Sequence, residues 1–344
     1  MASPNVAGVD LASGAVRVVV GRREDRHLRV SGVGYAAVVP NAVTGGYVAD
    51  RRAVVSAITS AFVAAERTGR AERVVVAIDG DDVRTYHEAT TFERDEGDEA
   101  ISSGEAMRAI REAREAAAHG ARDAATDDPA LRGIATAELR DDVGGFVLDG
   151  RAFSSIIGHR GRYLEVRTDI ALAPLVHAGA ATAALDAARR RATATSGTYA
   201  LARLVAESGI ADAGIVRVMP DLTAVAVIRD GRVGATRAFG LGRDALLARG
   251  EVARDAPVWA RCVISAVMAV GVELPGRWYA SGLPDELAAL PRALNGVLTA
   301  ERGGGAEVTP LRPSLLPRVI ADAALAAEDL VAAGAAALGA EVYS

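Results

Sequence analysis

A pattern that occurs twice along the chain restricts its fold to a narrow class. Residues 6–10 and 16–20 are β-branched runs separated by Leu11-Ala12-Ser13-Gly14-Ala15, a small-residue turn in which Gly14 tolerates positive φ. A third strand-like run follows at 28–33. Asp50 then stands where an N-cap belongs, ahead of Val54, Val55, Ile58 and Phe62 at helical spacing, and 74–78 reads as a buried strand. The second half opens the same way: strands at 215–218 and 224–229 around a turn, Asp230-Gly231 as a hairpin signal, and 232–238 as the returning strand. A helical stretch near 256–270 and a strand at 277–280 complete it. Three strands, a helix and a further strand make a mixed sheet with helices on its faces, so the pattern predicts an α/β chain of two related lobes.

The first copy carries an insertion, expected at 85–165. It begins with an acidic stretch at 93–105, read as a solvated loop because it lacks the spacing of a calcium loop. Ser102 and Glu105 then offer a capping box for a helix through Met107, Ile110 and Arg114, and Asp127-Asp128-Pro129 breaks the chain again. Strand-like residues 146–148 and 163–170, with Leu164 and Val166 alternating against Glu165 and Arg167, predict a small separate sheet.

Composition excludes several functions. With 344 residues, half of them hydrophobic, the chain can bury cores in more than one domain, which rules out a disordered or peptide-sized module. The net charge is −5, and the one dense cationic run, Arg189-Arg190-Arg191, reads as a solvated helix face, so nucleic acid is not an expected partner. A single cysteine, Cys262, excludes disulfides and thiolate zinc sites and points to a reducing cytosol; it reads as a small buried group, with Trp259 and Trp278 as core residues. The five histidines are scattered singly, which argues against a metal cluster. The first residues lack a secretory pattern, and no uncharged apolar run reaches the roughly 18 residues that span a bilayer.

Gly8–Val18, Gly45–Asp50 and Ala77–Gly80 are stretches that resemble motifs of the actin-like ATPase superfamily, and within it of the bacterial cell-division family FtsA. The stretch Gly8-Val9-Asp10-Leu11-Ala12-Ser13-Gly14-Ala15-Val16-Arg17-Val18 resembles the first phosphate hairpin, followed in family order by Gly32-Val33-Gly34, Gly45-Gly46-Tyr47-Val48-Ala49-Asp50 and Ala77-Ile78-Asp79-Gly80. Val147-Leu148-Asp149-Gly150 and Ile156-Ile157-Gly158-His159-Arg160-Gly161-Arg162-Tyr163-Leu164-Glu165-Val166 resemble the end of the FtsA inserted subdomain. The segment from Asp329 to Gly339 is similar to the closing helix of FtsA and of its relative PilM.

The resemblance implies an actin-like (ribonuclease H-like) duplicated two-lobe fold with an FtsA-type inserted subdomain. One lobe would comprise 1–84, about 166–200 and a C-terminal helix at about 315–344. The other would be 201–314, with a reduced outer subdomain at about 243–275. ATP and Mg²⁺ would lie between them. Asp10 would face the metal, unless it simply ends a strand; Ser13, Gly14 and Ala15 would line the first phosphate loop. The second loop departs from the family: Arg217 stands where an Asp belongs, Met219, Pro220 and Asp221 where glycines belong, and of that stretch only Thr223 matches. Arg217 is able to pair with phosphate but not to coordinate a metal or accept a proton. Ser281-Gly282 resembles the adenosine loop and equally reads as an N-cap for a helix at 285–290. The stretch between Gly242 and Pro275 lacks the Lys-bearing helix that packs near adenine. The implied function is a division scaffold with a degenerate ATP site and no catalytic residue. It would bind FtsZ or other division proteins, self-associate, and contact the membrane only indirectly, at the inner face of the division site. A PilM-like pilus-assembly scaffold and an active actin-fold ATPase are the alternatives.

Overall fold

The computed structural model describes residues 3–341. The chain divides into two compact units: one takes residues up to Val83 and again from Leu175, the other is Arg84–Pro174.

The first unit opens with an antiparallel run, β1 (Val6–Ala12), β2 (Ala15–Glu24) and β3 (His27–Ala37), with Ser13 and Gly14 at the first turn. Gly14 takes φ 86°, the conformation for which the sequence reserves a glycine. A two-strand ribbon follows, β4 (Val43–Thr44) and β5 (Tyr47–Val48). Asp50 caps α1 (Arg51–Ala65) by accepting the Ala53 N–H at 3.1 Å, and the helix buries Val54, Ile58 and Phe62. β6 (Arg73–Ile78) then lies parallel to β1.

Arg84–Pro174 contains β7 (Arg84–Glu93), α2 (Ser103–Asp127), β8 (Thr136–Leu148), β9 (Arg151–Phe153) and β10 (Tyr163–Pro174), in one antiparallel sheet ordered β7-β10-β8-β9. One face of α2 is a row of buried alanines from Ala106 to Ala125, against Leu164, Val166, Ile170 and Leu172 of β10. Half of the expected capping box forms. Ser102 Oγ accepts the Glu105 N–H at 3.2 Å, but the Glu105 carboxylate takes Arg94 at 2.6 Å instead of reaching back. Arg94 is buried, so the acidic stretch is not wholly a solvated loop.

The first unit resumes with α3 (Leu175–Ala187), β11 (Thr193–Ser196), α4 (Gly197–Glu207), β12 (Ala213–Val218), β13 (Thr223–Arg229) and β14 (Arg232–Phe239). It ends with α5 (Arg243–Ala248), α6 (Val252–Met268), β15 (Arg277–Ser281), α7 (Ala289–Arg302), β16 (Glu307–Pro310), β17 (Val319–Ala321) and α8 (Leu330–Ala340). Its two sheets are ordered β11-β6-β1-β2-β3-β17 and β14-β13-β12-β15-β16. Reading β3-β2-β1-β6-β11 beside β14-β13-β12-β15-β16, the order and every strand direction coincide: two antiparallel pairings, then two parallel ones. The duplication is therefore structural as well as sequential.

Two helices join the sheets. α8 is buried almost throughout and lies on β1, β2 and β6, where Gly8 leaves room that any Cβ would take from the Ala332 carbonyl. α4 lies on β13 and β14, and the two helices meet where Gly334 abuts the Ala200 carbonyl. Behind the second sheet, α6 and α7 enclose Trp259, Trp278, Leu290, Leu294 and Leu298 in a separate core.

Three local readings are corrected. α3 stops at Ala187, so Arg189-Arg190-Arg191 is not a helix face: Arg189 turns at φ 59°, and Arg190 grips both Glu66 oxygens (2.7 and 2.5 Å) with its guanidinium over the Phe62 ring. The helix read at 285–290 is a 3₁₀ turn, Asp285–Leu287, before α7. The closing helix expected across about 315–344 is Leu330–Ala340; residues 342–344 of that expectation lie outside the described residues.

Candidate functional site

The C-terminal ends of the two parallel ladders converge. Asp10 lies inside β1, which continues to Ala12, so it does not end a strand; its last parallel pairing is with Ala77 of β6. Asp79 follows β6 directly and sits at the N-terminus of α4, where its Oδ1 accepts the Thr198 N–H and Oγ1–H, both at 2.8 Å. Arg217 of β12 reaches both acids: Nη1 donates to Asp79 Oδ2 at 2.7 Å and Nη2 to Asp10 Oδ2 at 2.5 Å. The Arg217, Asp10 and Asp79 side chains are 10, 4 and 7% exposed, respectively, so the pairing is desolvated. Burial alone would pull the guanidinium pKa down, but Asp10 and Asp79 hold it above its ordinary value, and Arg217 is a fixed cation. Burial pushes the Asp79 carboxyl up, against the opposing pull of Arg217 and Thr198.

Beside this triad the charge arrangement reverses. The turn after β12 is closed by the Met219 N–H to Leu222 O at 2.8 Å and carries Asp221 toward the first lobe. Asp221 Oδ2 accepts from Ser13 Oγ and from the Gly45 N–H, each at 2.5 Å, and its buried Oδ1 has no protein partner. The Gly45-Gly46 ribbon is itself held from behind. Buried His177 contacts the Gly46 carbonyl through Nε2 (3.0 Å), stacks on Tyr47 at 4.3 Å and approaches Asp82 with Nδ1, while the Tyr47 hydroxyl donates to Asp82. Burial would raise the Asp82 pKa, but His177 and Tyr47 hold it below the usual carboxylate value.

The remaining residues singled out by sequence divide into two groups. Gly14 faces the Pro220 ring, Ala15 lines the same cleft, Ser281 pairs in register with Arg217, and Gly282 turns at φ 73° where a Cβ would strike the Val218 carbonyl. Thr223 does not face the cleft. Its hydroxyl donates to the Leu241 carbonyl at 2.6 Å and accepts Trp259 Nε1–H at 3.0 Å, inside the second lobe. Asp79 belongs to the Ala77-Ile78-Asp79-Gly80 motif and Asp221 to the stretch that departs from the family's glycines, and the sequence marks neither as a site residue. A carboxylate directly after a Val-rich strand was the signal for the first; nothing local marks Ser13 and Gly45 as partners of the second.

These residues do not fit Mg²⁺ and ATP. Both carboxylates that would face a metal already carry the Arg217 guanidinium, and among the described residues no group of three His, Cys, Asp or Glu side chains is arranged to hold an ion. The cleft between Asp10, Ser13, Arg17, Arg217, Arg243 and Ser281 has a volume of about 70 Å³. Ligand pockets commonly measure about 300–1,000 Å³.

No family model and no curated protein matches the chain. Solved structures do. A chain of the "PilM-PilN type IV pilus biogenesis complex" superposes with a TM-score of 0.56 at 18% identity, covering 98% of this chain and 99% of that one. The ethanolamine utilization protein EutJ from Carboxydothermus hydrogenoformans gives 0.47 at 15% identity, over 98% of this chain and 90% of that one. A Bacteroides thetaiotaomicron protein described as having an actin-like ATPase fold and unknown function gives 0.46 at 7% identity, over 90% and 91%. With its two strand-for-strand related sheets, the chain has the two-lobe actin-like ATPase fold.

Proposed function

We propose that this chain is an actin-fold scaffold that works through protein-binding surfaces, with the nucleotide chemistry of its cleft lost. The observation that carries this is the triad: Arg217 holds one oxygen of Asp10 and one of Asp79 and occupies the place between them where a metal would sit. Asp10, Ser13, Gly14, Ala15, Arg217, Ser281 and Gly282 are in this reading the walls of a vestigial nucleotide cleft. The domain assignment follows: a first lobe from 1–84, about 166–200 and 315–344, an inserted FtsA-type subdomain, expected at 85–165 and extended to Pro174 by the unit that contains the whole of β10, used for self-association or recruitment, and a second lobe at 201–314. Only α5 and α6 stand where an outer subdomain, about 243–275, is reduced.

Two partner assignments follow. The motif order and the tail of the insertion support an FtsA-like division role with FtsZ as partner, at the inner face of the cell membrane. The end-to-end mutual coverage with a chain of the PilM-PilN complex supports a pilus-assembly role, in which a short peptide of a membrane partner docks. Among the described residues no helix is long and apolar enough to cross a membrane; in both readings the membrane contact is indirect, through a partner. Calorimetry with purified FtsZ and with purified PilN tests both. The scaffold reading expects micromolar binding of one of them, unchanged by ATP; binding that requires ATP overturns it, and binding of neither removes both partner assignments.

A further inference from the structure

The disagreement between the fold and its cleft has a definite chemical content. Arg217, from the central strand of one sheet, donates to two acids of the other lobe. Asp221, four residues later in the turn that follows that strand, accepts from Ser13 Oγ and the Gly45 N–H of that other lobe. One bridge therefore carries a cation from the second lobe into an anionic niche, and the other carries an anion into a niche of donors. Both flank the same cleft, and the α4–α8 contact joins the sheets separately.

We infer that the chain ligates its own cleft: Arg217 stands in for a divalent cation and Asp221 for a phosphate oxygen, so that a two-bridge clasp fixes the lobes together without any exchangeable ligand. Three observations support the clasp independently of which protein the scaffold binds. The Arg217 charge is permanent, because a guanidinium does not titrate in the physiological range. The Gly45 N–H is presented by a ribbon that His177, Tyr47 and Asp82 hold from behind, so this donor is placed in advance. Asp221 Oδ1 is buried without a protein partner, a cost the turn bears while its other oxygen takes both donors.

Amide hydrogen exchange on the full chain tests this, read at Gly45 and Met219, whose N–H groups donate to Asp221 Oδ2 and to the Leu222 carbonyl. In the wild type these amides are expected to be protected and unmoved by millimolar Mg²⁺ with ATP. Asp221→Ala, which removes one bridge and leaves the triad, is expected to speed exchange at Gly45 roughly tenfold, the scale of one lost hydrogen bond. Arg217→Asp sets a third carboxylate against Asp10 and Asp79, and its melting temperature is expected to rise with millimolar Mg²⁺ while that of the wild type does not. Protection of the wild-type loops by Mg²⁺ with ATP overturns the inference, as does unchanged Gly45 exchange in Asp221→Ala. If Arg217→Asp fails to fold even with Mg²⁺, the Asp221→Ala exchange decides alone. The partner titrations are a separate readout, so the clasp and the scaffold reading fail independently.

Discussion

Asp10 and Arg217 occupy corresponding places on the central strands of the two duplicated sheets, each the last residue of its parallel ladder, and they are joined to each other at 2.5 Å. Duplication has thus supplied one position twice, and the two copies carry opposite charges. Because the pair is desolvated, its removal from one side is expected to be far more damaging than its complete replacement.

Arg217→Met leaves Asp10 and Asp79 buried without their cation and is expected to lower stability by about 3–5 kcal/mol in urea unfolding. Adding Asp10→Asn and Asp79→Asn is expected to return part of that loss, because neutral amides leave no uncompensated charge. A triple variant no more stable than the single one refutes the ion-pair assignment.

ATP with Mg²⁺ is expected to leave the melting temperature unchanged. A ligand present at one hundred times its dissociation constant stabilises by about 2.7 kcal/mol, well within detection by differential scanning calorimetry. A shift of that order contradicts the account of the cleft given above.

Much of this fold was readable in the sequence where the cause is local. Asp50 caps α1, and Asp230-Gly231 makes its turn at φ 50° and 71°, because short-range stereochemistry decides both. The repeated strand pattern foretold two related sheets for the same reason. The cleft was only partly legible. Arg217 stood out as a departure, but its partners at Asp10 and Asp79 are distant in sequence, and no periodicity reports them. Thr223 matched a motif yet points inward, since its hydroxyl answers the indole N–H of Trp259 on a helix the motif does not include. Arg190 belonged to an apparent helical run, and its ion pair with Glu66 draws it past the helix end.

Glu207 gives a pH prediction. Burial would raise its pKa, but Arg203 at 2.6 Å and Arg318 at 2.5 Å hold it below its ordinary value of 4.5. A carboxylate with a lowered folded-state pKa contributes stability that is present above the unfolded value and lost as pH falls through the folded one. Stability is therefore expected to drop on acidification below about pH 4.5, and Glu207→Gln to lose about 1–3 kcal/mol at neutral pH with a shallower acid limb. Denaturant midpoints measured from pH 7 to pH 3 for both proteins check this.

Gly334→Ala places a methyl group against the Ala200 carbonyl where α8 crosses α4. Forcing these helices apart is expected to destabilise the chain by about 1–3 kcal/mol, whereas the same change at Gly296 of α7, where a Cβ meets nothing, is expected to be neutral or stabilising. Equal losses at both glycines would contradict close packing as the cause.

The position of α8 also governs the order of events during synthesis. β1 leaves the ribosome ahead of the whole of Arg84–Pro174 and the second sheet, and the helix that covers it is made only after them. Until then one face of the founding sheet has no cover, and the nascent chain has to be shielded from aggregation there, a delay that contacts so distant along the chain impose on any cell producing it.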